Sequence, residues 1–169
     1  MKRPYGPILA AGVAMLALTA VSLGSDGHRT VKAKLKGFNE VPAISTTGRG
    51  KFRARLNADS IEWELDYERM EDTVVAAHIH IGQRDVNGGV MVFFCGGGGR
   101  PACTSPAGSF SGIITAAEVI GPAGQGIAAG DFDEVLRAIR AGVTYVNVHS
   151  TPRFPGGEIR GQVRDEDRD

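Results

Sequence analysis

Alternation of apolar and polar side chains constrains this chain more than any other feature. Ile61, Trp63, Leu65 and Tyr67 interleave with Glu62, Glu64, Asp66 and Glu68. A period of two puts one set toward a core and the other toward water, which is the pattern of a half-buried strand. Val31, Ala33 and Leu35 alternate with Lys32, Lys34 and Lys36, and Phe52, Ala54 and Leu56 with Lys51, Arg53 and Arg55. Asn57-Ala58-Asp59-Ser60, lying between Leu56 and Ile61, is hairpin-turn chemistry. Further strands are expected at 74–81, 90–94, 109–114, 143–150 and 158–163. Asn87-Gly88-Gly89 supplies residues that tolerate positive φ.

One helix is expected over 132–141. Asp131 can cap it, Glu134 stands where a capping box needs it, and Gly142 can close it. A shorter turn over 115–119 opens on a second box, Thr115 with Glu118. Short strands with one helical excursion point to an all-β fold, an antiparallel Greek-key β-sandwich or a Greek-key barrel.

The start of the chain carries a different signal. Met1-Lys2-Arg3 is basic, 8–23 is apolar apart from Gly12, Thr19 and Ser22, and Ser22 and Gly24 are small. This is the plan of a cleavable export signal over 1–24, with cleavage expected before Ser25. A spanning anchor needs roughly 20 consecutive apolar residues, and this run is shorter. The expected product is secreted or periplasmic, with no membrane attachment after cleavage. Without Lys2 and Arg3 it carries 17 basic and 19 acidic residues. Such a balance is poor for binding nucleic acid, where phosphate neutralisation drives affinity. The acidic end, 165–169, reads as a solvated tail.

Cys95 and Cys103 are the only cysteines. In an exported domain an even pair at short range reads as a disulfide. The Gly-rich stretch between them lacks the Gly-Lys-Ser/Thr of a phosphate loop, and no nucleophile elbow is present.

Strand parity then groups the histidines. His78 and His80 share the face opposite Ala77, Ile79 and Ile81, while Tyr145, Asn147 and His149 lie opposite Val146 and Val148. Glu158, Arg160 and Gln162 lie opposite Ile159 and Val163. If these strands are neighbours, His78, His80 and His149 form a three-nitrogen set suited to Cu²⁺ or Zn²⁺, with Glu158, Arg160 and Asn147 around it. A cation at Arg160 opposes a metal unless Glu158 pairs with it. The competing reading is a His/Glu/Arg hydrogen-bond network that pins strands together. His28 carries no pattern.

At these residues the chain resembles the CHRD family, the chordin-type domain that also occurs alone in secreted bacterial proteins. Leu35-Lys36-Gly37-Phe38-Asn39-Glu40-Val41-Pro42 is similar to its L-x-G-x-x-E-V-P opening. Ala77-His78-Ile79-His80-Ile81-Gly82, followed by Asn87-Gly88-Gly89-Val90, is similar to its centre. Ala141-Gly142-Val143-Thr144-Tyr145-Val146-Asn147-Val148-His149-Ser150 and Pro155-Gly156-Gly157-Glu158-Ile159-Arg160-Gly161-Gln162 are similar to its end, with Ser150 in place of Thr. The resemblance covers a domain over 30–164. It implies an immunoglobulin-like or superoxide-dismutase-like β-sandwich in an extracellular or periplasmic setting, and no established reaction.

Three functions are therefore in view. One is a non-catalytic extracellular or periplasmic module, either structural or binding an extracellular protein or small ligand. The second is a copper or zinc protein using His78, His80 and His149. The third is a dismutase-like enzyme, suggested by the H-x-H pair, although three placed histidines fall short of that enzyme's full ligand set. No Ser/His/Asp or Cys/His constellation supplies a nucleophile.

Overall fold

A computed structural model describes Met1 and residues 29–166. Residues 2–24 of the expected leader, and His28, lie outside the described residues. Among the described residues no helix is long and apolar enough to cross a membrane.

The strands are β1 (Arg29–Lys36), β2 (Arg49–Leu56), β3 (Ile61–Glu68), β4 (Thr73–Ile81), β5 (Val90–Cys95), β6 (Gly108–Ile114), β7 (Thr144–Thr151), β8 (Phe154–Gln162) and the short β9 (Arg164–Asp165). One helix, α1 (Phe132–Arg140), precedes β7. All-β with one short helix is the observed class. The strands do not part into the two bounded sheets of a Greek-key sandwich. They form one continuous antiparallel sheet in the order β5-β4-β7-β8-β1-β2-β3-β6, with β9 beside β1. Its narrowest junction is between β8 and β1, where Lys36 opposite Arg160 is the only pairing. The sheet is nearly closed, like a barrel, and buries its apolar face inside.

The alternation explains the first half directly. β2 and β3 pair without a slip from Arg49 opposite Glu68 to Leu56 opposite Ile61, and the Asn57 N–H donates to the Ser60 carbonyl at 2.9 Å. Trp63, Phe52 and Phe94 are each no more than 3% exposed. The Phe94 ring of β5 lies 4.5 Å from Trp63 and 5.2 Å from Phe52, centroid to centroid. These contacts join β5, at one end of the sheet, to β2 and β3 near the other through the core, each worth about 0.5–1.5 kcal/mol beyond area burial.

Asp131 caps α1 by accepting from the Glu134 N–H at 3.4 Å. The expected box there is half-formed, because the Glu134 carboxylate turns to Arg137 at 2.5 Å. The box at Thr115 and Glu118 is complete and closes a 3₁₀ turn over Ala116–Glu118. Cys95 and Cys103 form a disulfide. Gly96, just inside it, has φ +76°, and a Cβ there would run into the Val75 carbonyl. Asp165 meets Arg29 at 2.5 Å and Glu166 meets Arg53 at 2.7 Å. The first two acids of the 165–169 tail are thus ion-paired against the sheet rather than left to solvent.

Candidate metal centre

Register brings the polar groups of three strands to one face. On β4 and β7, His78 lies opposite Asn147, His80 opposite Tyr145, and Ala76 opposite His149. Beyond β7, Asn147 pairs with Arg160 and Tyr145 with Gln162 on β8. Paired residues point to the same side, so His78, His80, Tyr145, Asn147, Arg160 and Gln162 share a face. Ile79, Val146, Val148 and Ile159 fill the core on the other.

The three imidazoles converge. Ring centroids are 4.8 Å apart for His78 and His149, 5.3 Å for His78 and His80, and 6.3 Å for His80 and His149. One ring nitrogen from each lies within 4.8 Å of the others. Tetrahedral ligation at a Zn–N length near 2.05 Å would set these nitrogens about 3.3 Å apart. Closing that gap takes side-chain movements of about 1 Å.

The outer nitrogens are already committed. Nδ1 of His80 lies 2.9 Å from the Gly88 carbonyl, and Nδ1 of His149 lies 2.9 Å from the Pro155 carbonyl. A carbonyl only accepts, so each Nδ1 carries the proton and each Nε2 keeps a lone pair. Both Nε2 atoms are buried without a partner, as is Nδ1 of His78. Burial drives His78 down to about 3, helped by His149 and His80 and opposed by the Asn147 amide. Burial likewise takes His80 down to about 4, against the Gly88 carbonyl, with His149 lowering it further. His149 is lowered by burial and partly restored by the Pro155 carbonyl. All three are neutral at pH 7 and can ligate without first losing a proton.

Arg160 braces this arrangement and does not pair with Glu158. It is 2% exposed, and its guanidinium lies 3.4 Å from the centroid of the Tyr145 ring. Tyr145 in turn stacks on His80 at 4.7 Å with 4° between the planes. The guanidinium also donates to Asn87 Oδ1 at 3.0 Å and to the carbonyls of Gln83 at 3.2 Å and Val86 at 2.8 Å. These bonds tie down the loop that carries the Gly88 carbonyl.

Glu158 is elsewhere. Its carboxylate accepts from Thr46 Oγ1 at 2.6 Å, from the Glu71 N–H at 2.9 Å and from Ser150 Oγ. The register shifts between Val148 and Ser150, and Gly157 adopts φ +130°. Simple parity fails across such an irregularity, so Glu158 faces away from the histidines.

Glu40 is the residue that sequence reasoning missed, although it stands in the L-x-G-x-x-E-V-P block. It is 7% exposed and leaves Oε1 buried without a partner. Burial pushes its carboxyl up to about 7, with Arg160 pulling the other way. The folded protein therefore holds a proton between pH 4.5 and 7 that the unfolded chain has lost, and stability falls as pH rises through that window. Glu40→Gln removes this penalty. Its melting temperature is expected to match the parent at pH 4.5 and to exceed it by several degrees at pH 8, read by thermal unfolding.

Glu40 Oε1, Asn147 Oδ1 and the three imidazole nitrogens are all buried and unpartnered. Native proteins leave few such atoms, and each calls for an explanation such as an ordered water, an ion or strain. Residues 31–163 match the family model of the CHRD domain. No curated protein and no solved structure matches the chain.

Proposed function

The chain belongs to the CHRD domain family, and from that premise we propose that it is an exported, non-catalytic module that holds a copper or zinc ion on His78, His80 and His149. The observation that carries the reading is the convergence of three neutral imidazoles, one ring nitrogen of each within 4.8 Å of the others, in rings that each keep a buried nitrogen without a partner. The carbonyls of Gly88 and Pro155 support it, since a hydrogen bond at the far nitrogen is what fixes tautomer and ring orientation in histidine metal sites. The basic and apolar start of the chain supports export, as does the Cys95–Cys103 disulfide, a bond that persists in oxidising compartments.

The test starts from the chain beginning at Ser25, purified without chelator and without an added histidine tag. Mass spectrometry is expected to find one copper or zinc per chain, or apo protein that takes up one equivalent on titration. His149→Ala is expected to weaken that uptake by at least about a hundredfold, since loss of an outer partner alone costs 10–100-fold. Binding that is weaker than micromolar, or equal in the parent and His149→Ala, would overturn the metal reading and leave the module without its ion.

A further inference from the structure

The outward face of β1 presents an unusual ladder. Lys32, Lys34 and Lys36 stand directly opposite Arg53, Lys51 and Arg49 of β2. Like charges opposed across a sheet destabilise it, so three such pairs in succession need compensation. β3 provides it for β2, with Glu64, Asp66 and Glu68 opposite Arg53, Lys51 and Arg49. On the other side of β1 the short β9 sets Asp165 opposite Val31, where it pairs with Arg29, and Arg164 opposite Lys32, so among the described residues no carboxylate row faces Lys34 and Lys36. There the lysines border a cavity of about 450 Å³ that is also lined by Arg84, Arg160 and Arg164, with Asp85 as its one carboxylate. Lys34 and Lys36 are exposed, and neither makes an ion pair among the described residues.

The rest of the lining narrows what such a cavity would take. Asn39 gives its amide N–H groups to the carbonyls of Lys34 and Arg160, at 3.4 Å and 3.1 Å. Gln162 gives its own to Gly82 and Gly142, at 3.0 Å and 3.1 Å. What these two amides have left are carbonyl oxygens, which accept hydrogen bonds from hydroxyl groups. Phe38 at the lip is 73% exposed, an aromatic surface with no partner. Cations, hydroxyl acceptors and an apolar ring together match a sugar that bears an anionic group. From Lys32 to Lys36 the strand runs about 13 Å, more than one sugar unit, which favours a chain. A single exposed ring is not the row of stacking platforms that single-stranded nucleic acid uses. A concave, lysine-bordered cavity is also not the apolar face that inserts into a lipid surface.

We propose that the cavity between β1, β8 and β9 binds an acidic polysaccharide, its carboxylate or sulfate groups held by Lys34, Lys36 and their neighbours and one sugar face resting on Phe38. This site shares Arg160 with the brace of the histidine cluster but includes none of the three histidines, and it does not depend on a metal. The experiment therefore uses the full chain as processed by its host cell, in EDTA, with labelled polygalacturonate and heparin as the two anionic glycans. Dextran, single-stranded DNA and phosphatidylglycerol vesicles are the comparisons.

Saturable binding to at least one anionic glycan at 50 mM salt is expected, weakening roughly tenfold by 200 mM as a few ionic contacts are screened. Lys34→Gln with Lys36→Gln is expected to weaken it tenfold or more. Arg55→Gln with Arg137→Gln, which removes equal charge elsewhere, is expected to leave it unchanged. Phe38→Ala is expected to weaken glycan binding several-fold and not to alter any residual DNA binding. All these positions are exposed, and unchanged melting temperatures would show that the variants fold. Failure of both glycans to bind, equal loss in the two double variants, or tighter binding to DNA or vesicles than to either glycan would overturn the proposal.

Discussion

Glu158→Ala is expected to cost the domain about 3–5 kcal/mol, read as a lowered denaturant midpoint. The carboxylate is fully buried and is the acceptor for Thr46 Oγ1, Ser150 Oγ and the Glu71 N–H. Truncation strands these three donors, and each buried group left unsatisfied costs about 1–3 kcal/mol. The hydroxyls can partly turn elsewhere, which keeps the total below the simple sum. Glu158→Gln retains one oxygen for Thr46 and Glu71, and the Ser150 hydroxyl can rotate to accept from the new amide. It is expected to cost about 1 kcal/mol. Metal uptake in Glu158→Gln is expected to equal the parent, because the side chain is turned away from the imidazoles. A folded Glu158→Gln protein that has lost its metal would place Glu158 in the site after all.

That contrast also marks where the sequence was legible. The period of two holds without interruption through β2 and β3, and there the strands, the turn at 57–60 and the buried face follow from the alternation alone. It also holds along β4 from Ala76 to Ile81 against β7, which is why parity brought His78, His80 and His149 to one face. Parity counts residues from a reference, and an inserted irregularity resets the count. The shift between Val148 and Ser150 did this to Glu158.

Arg160 kept its face but found partners in the loop at 83–87, a contact set by how that loop folds over β8 rather than by any local pattern. Glu40 arrives from a turn beyond β1, far from the histidines along the chain. Its only signal was a place in a motif block, where an acid before Val-Pro reads as an ordinary loop residue. The single sheet was hidden for a similar reason. Whether β8 and β1 belong to one sheet or two turns on one pairing, Lys36 with Arg160, and alternation is silent on which strands are neighbours.

The histidine cluster should reveal itself by destabilising the protein that carries it. In the apo protein, His78 has been pushed from 6.5 down to about 3 and His80 to about 4, chiefly by burial. The unfolded chain takes up these protons as pH falls below 6.5, and the folded chain does so only near its lowered values. Stability is therefore greatest above pH 6.5 and falls as pH drops toward 4. Glu40 has the opposite slope between pH 4.5 and 7, but it is one group against three lowered histidines.

His78→Leu removes one proton-binding site from this balance and one buried orphan nitrogen from the fold, and it leaves an apolar side chain against Phe93, whose ring is 4.3 Å from the His78 imidazole. The apo variant is expected to be more stable than the apo parent, with the advantage about 2 kcal/mol larger at pH 5 than at pH 7.5. With free Zn²⁺ or Cu²⁺ at a hundred times its dissociation constant, the parent should gain about 2.7 kcal/mol at pH 7.5 and the variant almost nothing. The order of the two proteins would then narrow or invert on adding metal. A group that stabilised the fold for its own sake would behave the other way, with His78→Leu less stable at every pH and metal without effect on either protein. Paired melting curves with and without metal, at the two pH values, separate a histidine kept for an ion from one kept for the sheet.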